Sequence, residues 1–75
     1  MSSPSIALGT YRHSKSGKLY EVLGVALHTE TGDMLVVYRA LYKTDYELFA
    51  RPYKMFVENV DLNGKKVPRF EKINE

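Results

Sequence analysis

The twelve residues from Lys18 to Thr29 form one β-prone ribbon, Lys-Leu-Tyr-Glu-Val-Leu-Gly-Val-Ala-Leu-His-Thr, interrupted by a single glycine at position 24. Laid out straight, such a strand would span about 40 Å. A chain of 75 residues makes a single domain, too small to hold a straight strand of that length. An isolated glycine inside a strand marks a bulge or a bend. The ribbon is therefore expected to coil at Gly24 and to serve both halves of a small barrel.

The flanking segments repeat the pattern of short strands and tight turns. Gly9 to His13 is β-prone, and Ser14-Lys-Ser-Gly17 is a turn whose glycine supplies a positive φ. Glu30-Thr-Gly-Asp33 is a second turn. Met34 to Tyr42 follows as a strand apolar on both faces, which suits a central position. Lys43-Thr-Asp45 turns into a fourth strand, Tyr46 to Arg51, and Pro52 ends pairing and opens one helical turn to Phe56. Val57 to Val60 is extended, Asn63-Gly64 is a hairpin signal, and Lys66 to Ile73 is a last extended segment held to an edge by Pro68. No internal repeat is evident. The pattern predicts an all-β fold: a small SH3-like barrel of about five strands with one short helical turn, in preference to an OB-like barrel, which wants a longer chain and a real helix. Residues 1–8 read as a flexible lead-in rich in Ser and Pro, and 9–75 as the single domain.

Composition narrows the function classes. There is no cysteine, so neither a disulfide nor a thiolate metal site braces the thin core. Eleven basic and nine acidic residues leave a net charge of +2, and the basic ones are scattered rather than gathered in a stripe. A domain that lives on phosphate contacts shows such a stripe. The start has no basic segment before its three-residue apolar run, and no apolar run approaches the roughly 20 residues of a membrane span. A cytoplasmic protein with no membrane association is expected.

The residue types that carry chemistry do not assemble into a known motif. His13 and His28, with Glu21, Glu30 or Asp33, supply the ligand types of zinc or iron, but their spacing matches no metal motif, and strand-end histidines with ordinary hydrogen bonds are the simpler reading. The serines lie in the lead-in and the first turn, outside any nucleophile elbow. Glu47 and Glu58 have no cleft implied between them, and the five glycines form no phosphate loop. No catalytic residue, metal site or cofactor is expected.

One constellation stands out. Tyr11-Arg12-His13, Tyr38-Arg39, Tyr42, Tyr46, Arg51-Pro-Tyr53 and Arg69-Phe70 repeatedly set arginine beside a ring. Rings offer flat contact area, and arginine pairs with carboxylate or phosphate in a bidentate fork and stacks on rings. The same residues also fit a structural role, with tyrosines filling the core and arginines covering their edges. Arg39 is the sharpest case: in the most apolar strand it needs a carboxylate if buried, and Glu21 and Glu58 are the candidates.

The segments Gly9-Thr-Tyr-Arg-His13, Tyr20 to Thr31, Leu35 to Tyr42, Arg51-Pro-Tyr-Lys-Met-Phe56 and Val67-Pro-Arg-Phe70, in this order, resemble a family of small bacterial proteins designated domain of unknown function 1653. The resemblance runs from Gly9 to about Ile73. It implies an SH3-type barrel and a bacterial cytoplasmic setting, and it implies no substrate. The family's polar signature residues correspond to Arg12, His13, His28, Glu30, Arg39 and Arg51 here, and a ring stands before Arg51-Pro52, as Phe49 does. Function is expected to be that of a small, non-catalytic binding or interaction module. Its expected site is the aromatic–arginine surface, Arg12, His13, His28, Tyr38, Arg39, Tyr46 and Arg51, and its expected partner is a protein or peptide, a nucleic acid or a small anion. Two alternatives stand beside it: a nucleic-acid-associated domain contacting phosphates through Arg12, Lys15, Lys18, Lys65 and Lys66, and a small enzyme with His13 or His28 as general base.

Overall fold

The computed structural model describes residues 6–73. Three of its strands form a meander: β1 (Gly9–His13), β2 (Leu19–Leu27) and β3 (Met34–Ala40). Then come β4 (Phe49–Pro52), a single helical turn α1 (Tyr53–Val57), the hairpin β5 (Asn59–Leu62) and β6 (Lys65–Pro68), and β7 (Phe70–Lys72). The main sheet is antiparallel and five-stranded, in the order β4-β3-β2-β1-β7, and β5-β6 forms a separate two-stranded sheet. The fold is all-β with one short helix, as the sequence predicts. β4 and β7 remain as the two edges of the main sheet, so the ring of ladders is not continuous. On the inside, Phe56 of α1 stacks on Phe70 of β7, with ring centroids 4.2 Å apart.

The core is small and aromatic. Tyr11, Val22, Val36, Tyr38, Phe56 and Phe70 are buried, with Ile6, Tyr20, Phe49 and Tyr53 packed around them. Burying an aliphatic or aromatic side chain of this size contributes about 1.5–3 kcal/mol. With so few such side chains, each one is a large share of the stability. Of the lead-in expected at 1–8, positions 1–5 lie outside the described residues.

The coiling of β2 has a definite form. Val22 pairs with Tyr38 and Gly24 with Val37, so Leu23 is the extra residue of a β-bulge. The bulge resets the alternation: Val22 before it and Val25 after it both lie opposite buried residues of β3, Tyr38 and Val36. Without it, one half of the ribbon would turn its apolar side to water. The glycine itself contributes less than the sequence suggests. The φ of Gly24 is not among the positive values, and a Cβ added there would meet nothing within 4 Å.

Two boundaries differ from expectation for physical reasons. The fourth strand starts at Phe49 rather than Tyr46, because β3 ends at Ala40 and the exposed stretch 41–48 forms a wider loop. The last extended segment breaks at Arg69, where the chain passes from the small sheet to the main one. There the Arg69 amide donates to Glu58 O and its carbonyl accepts from the Ser14 amide, each at 2.9 Å. The Asn63-Gly64 hairpin forms as read, with φ of 52° and 82° at its two central residues, the backbone of a type I′ turn.

Candidate functional site

The two turns of the meander are built alike, a likeness not drawn from the sequence. In the first, the His13 amide donates to Lys18 O at 2.9 Å and the Gly17 amide donates back to His13 O at 2.7 Å. In the second, the His28 amide donates to Asp33 O at 2.8 Å and the Gly32 amide to His28 O at 2.7 Å. Gly17 and Gly32 take φ of 75° and 80°. Each imidazole closes its own turn through Nδ1. His13 accepts from the Ser16 amide at 3.2 Å, and His28 accepts from the Glu30 and Thr31 amides at 3.2 and 3.4 Å. Each turn also uses a hydroxyl, as the Lys18 amide donates to Ser16 Oγ and the Asp33 amide to Thr31 Oγ1. The signal was present in the chain as His-Ser-Lys-Ser-Gly-Lys and His-Thr-Glu-Thr-Gly-Asp. An Nδ1 that accepts an amide leaves the ring proton on Nε2.

Tertiary structure then treats the two turns differently. His28 stands exposed at the far end of β2. His13 is brought into a ring cluster. It lies opposite Phe70 in the β1–β7 ladder, with ring centroids 5.0 Å apart, edge to face. The Arg51 guanidinium sits over the same Phe70 ring, 5.5 Å from its centroid, and its Nε donates to the Tyr38 hydroxyl at 3.4 Å. Thus His13, Tyr38 and Arg51 meet around Phe70, a ring in the aromatic–arginine pattern of the sequence but outside the expected site. Burial holds the His13 pKa below its ordinary value, and the nearby charges of Arg51, Arg69 and Lys15 lower it further.

The rings continue from this corner along one end of the sheet. Phe70 and Tyr38 each meet Tyr20 edge to face, and Tyr20 meets Tyr42. The Tyr20 and Tyr42 hydroxyls share a hydrogen bond of 2.7 Å, and Lys18 Nζ lies 4.8 Å from the Tyr42 ring centroid. Burial, followed by the bond to Tyr42, pushes the Tyr20 pKa up to about 12, so its hydroxyl keeps its proton at any ordinary pH. A cation stands at each end of this series of rings, Lys18 on Tyr42 and Arg51 on Phe70.

The remaining expected residues lie elsewhere. Arg12 pairs with Glu71 at 2.8 Å and Arg39 with Glu21 at 2.6 Å, each across a ladder from its register partner and largely in solvent. The question posed by Arg39 is answered by Glu21, and its side chain is exposed rather than buried. Tyr46 is 70% exposed in the 41–48 loop and lines an open hollow of about 770 Å³ together with Arg39, Tyr42 and Leu48. Arg69 pairs with Glu58 at 2.5 Å, yet its Nε is buried without a hydrogen-bond partner. Among the described residues, Arg51 alone of the four arginines has no carboxylate within ion-pair distance. No group of three or more potential metal-ligating side chains gathers among the described residues. No helix among them is long and apolar enough to cross a membrane.

Comparison with known proteins agrees with this architecture. The family described as protein of unknown function (DUF1653) matches residues 9–72. The chain is similar in structure to a DUF1653 protein from Bordetella bronchiseptica known from a crystal structure, with a TM-score of 0.84 and 35% sequence identity over 91% of this chain and 87% of the other. No curated protein matches. With the motifs in order, the family pattern spanning the meander through β7, and the same fold in a relative, the chain belongs to the DUF1653 family.

Proposed function

We propose that the protein is a small, non-catalytic binding module that takes an anionic ligand at the corner where His13, Arg51 and Phe70 meet, with Tyr38 beneath. The observation that carries this is the state of Arg51. It is half-buried against rings, and among the described residues it has no carboxylate, whereas Arg12, Arg39 and Arg69 each have one. A guanidinium held partly out of water without a counter-charge is costly unless an anion comes to it. Both histidines spend Nδ1 on turn amides, so neither is free to take a proton there without breaking its turn, and this favours binding over general-base chemistry. We take the setting to be a bacterial cytoplasm, as the family and the lack of cysteine favour.

The test is a chemical-shift titration of labelled protein against acidic peptides, nucleotides and oligonucleotides. Shifts gathered at His13, Tyr38, Arg51 and Phe70 are expected with at least one pool. No shifts with any pool would leave the corner a packing device and remove the proposal.

A further inference from the structure

Beyond the corner at Arg51, and independently of it, we infer that the hollow between the Glu21–Arg39 pair and the 41–48 loop is the surface through which two copies of this chain pair about a two-fold axis. Exposed apolar side chains scattered singly are ordinary, whereas a gathered set rimmed by charge marks an interaction surface. Four of the nine large hydrophobic side chains exposed among the described residues, Leu23, Tyr42, Tyr46 and Leu48, line this one hollow of about 770 Å³. The fold itself holds them there. Leu23 is the extra residue of the β2 bulge, so it has no register partner in β3 and stands 43% exposed. Tyr42 is tied by its hydroxyl bond to Tyr20, and Tyr46 meets Phe49 edge to face, with ring centroids 6.4 Å apart. Rings fixed before contact lose little freedom when a partner covers them.

Charge decides what can cover the hollow. Its lining carries two acids, Glu21 and Glu47, and two bases, Arg39 and Lys43, so it is neutral in a chain of net charge +2. Glu21 and Arg39 already answer each other at 2.6 Å. Lys43 and Glu47, four residues apart on the loop, make no ion pair among the described residues. A polyanion drawn to Lys43 meets Glu47, and a polycation drawn to Glu47 meets Lys43. The partner that satisfies both brings one base and one acid at the same separation, set among apolar side chains. Another copy of the same loop has that composition. In a two-fold interface each contact occurs twice, with the roles of the two copies exchanged. Lys43 of each copy then meets Glu47 of the other, and the apolar side chains of the two hollows cover one another.

The experiment follows the mean mass of the full-length chain by sedimentation equilibrium from about 10 μM to about 1 mM, a range that reaches small, weak interfaces. The mass is expected to rise from 8.6 kDa toward twice that value, with the amide shifts of Leu23, Tyr46 and Leu48 moving over the same range. Lys43→Glu and Glu47→Lys each set like charges against one another twice across the axis, so each is expected to weaken pairing about tenfold. Both side chains are exposed, so neither variant fails by disturbing the core. Mixed in equal amounts, the two variants restore opposite charges at both contacts, and the mixture is expected to pair as the native chain does. Tyr46→Ser, which removes a fixed ring from the centre of the contact, is expected to weaken pairing about tenfold. A monomeric mass at every concentration would overturn the inference, whatever other protein the hollow takes. So would pairing that neither charge variant weakens, or a mixture that pairs no better than either variant alone.

Discussion

The two histidine-closed turns share a backbone and differ in their surroundings. His13–Gly17 and His28–Gly32 have the same pair of main-chain bonds, the same left-handed glycine and the same Nδ1 acceptor. One of them packs onto Phe70 beside three cationic side chains, and the other faces water. Local chemistry makes the turn, but only the arrival of β7 and β4 beside the first turn makes it a candidate site. The lesson is that histidine here has a structural duty in both places, and functional meaning attaches to what is assembled around it.

That comparison can be broken most directly at the imidazoles. His13→Ala removes an amide acceptor and a ring contact and is expected to cost about 2 kcal/mol, while His28→Ala removes only the acceptor and costs about 1 kcal/mol. Urea unfolding of both variants measures the difference; equal losses would mean that the Phe70 contact contributes nothing. The glycines come next. Gly17→Ala and Gly32→Ala each force a Cβ into the left-handed region, with open space around it, and each is expected to cost about 1 kcal/mol. Unfolding midpoints that differ widely between these two would show that the turns are not equivalent in backbone.

Acid separates the turns further. His13 is held below its ordinary pKa of 6.5, so the unfolded chain binds a proton there that the folded chain resists. Stability from this source is present above pH 6.5 and is lost as pH falls from 6.5 toward the folded value. His13→Gln is expected to flatten the fall in unfolding midpoint over that window. Lys15→Glu removes one of the cations opposing protonation, so the His13 titration followed by NMR is expected to move up toward its ordinary value. An unmoved titration would show that Lys15 contributes nothing, leaving burial, Arg51 and Arg69 to set it. The smallest effect belongs to a third glycine. Gly24 needs neither a positive φ nor empty space, so Gly24→Ala is expected to change stability by no more than about 1 kcal/mol, in the stabilising direction. A large loss there would show that the bulge depends on the glycine rather than on the apolar pattern either side of it.

Much of the architecture was legible from local rules. The strand runs, the turn glycines, the Asn63-Gly64 hairpin and the helical turn after Pro52 all follow from nearest-neighbour chemistry, and the structure contains them. The bulge was legible from the isolated glycine at position 24, and it falls there, although Gly24 needs no positive φ and a Cβ there would meet nothing within 4 Å. The crossover at Arg69 was not legible, because a strand that changes sheets looks in sequence like one extended run. The candidate site was legible only as a list of arginines beside rings. Three of the seven residues named, His13, Tyr38 and Arg51, come together, while Arg12 and Arg39 find carboxylates directly across a ladder.

The amino-acid sequence alone determined an all-β chain of short strands joined by glycine turns, since alternation and turn residues act over a few positions and need no partner. Only the tertiary structure decided which arginine would have no carboxylate among the described residues. Ion pairing across strands depends on register, and register places Glu71 opposite Arg12 and Glu21 opposite Arg39 but sets Val36 opposite Arg51. An apolar neighbour cannot answer a guanidinium, and Arg51 lies over the Phe70 ring instead.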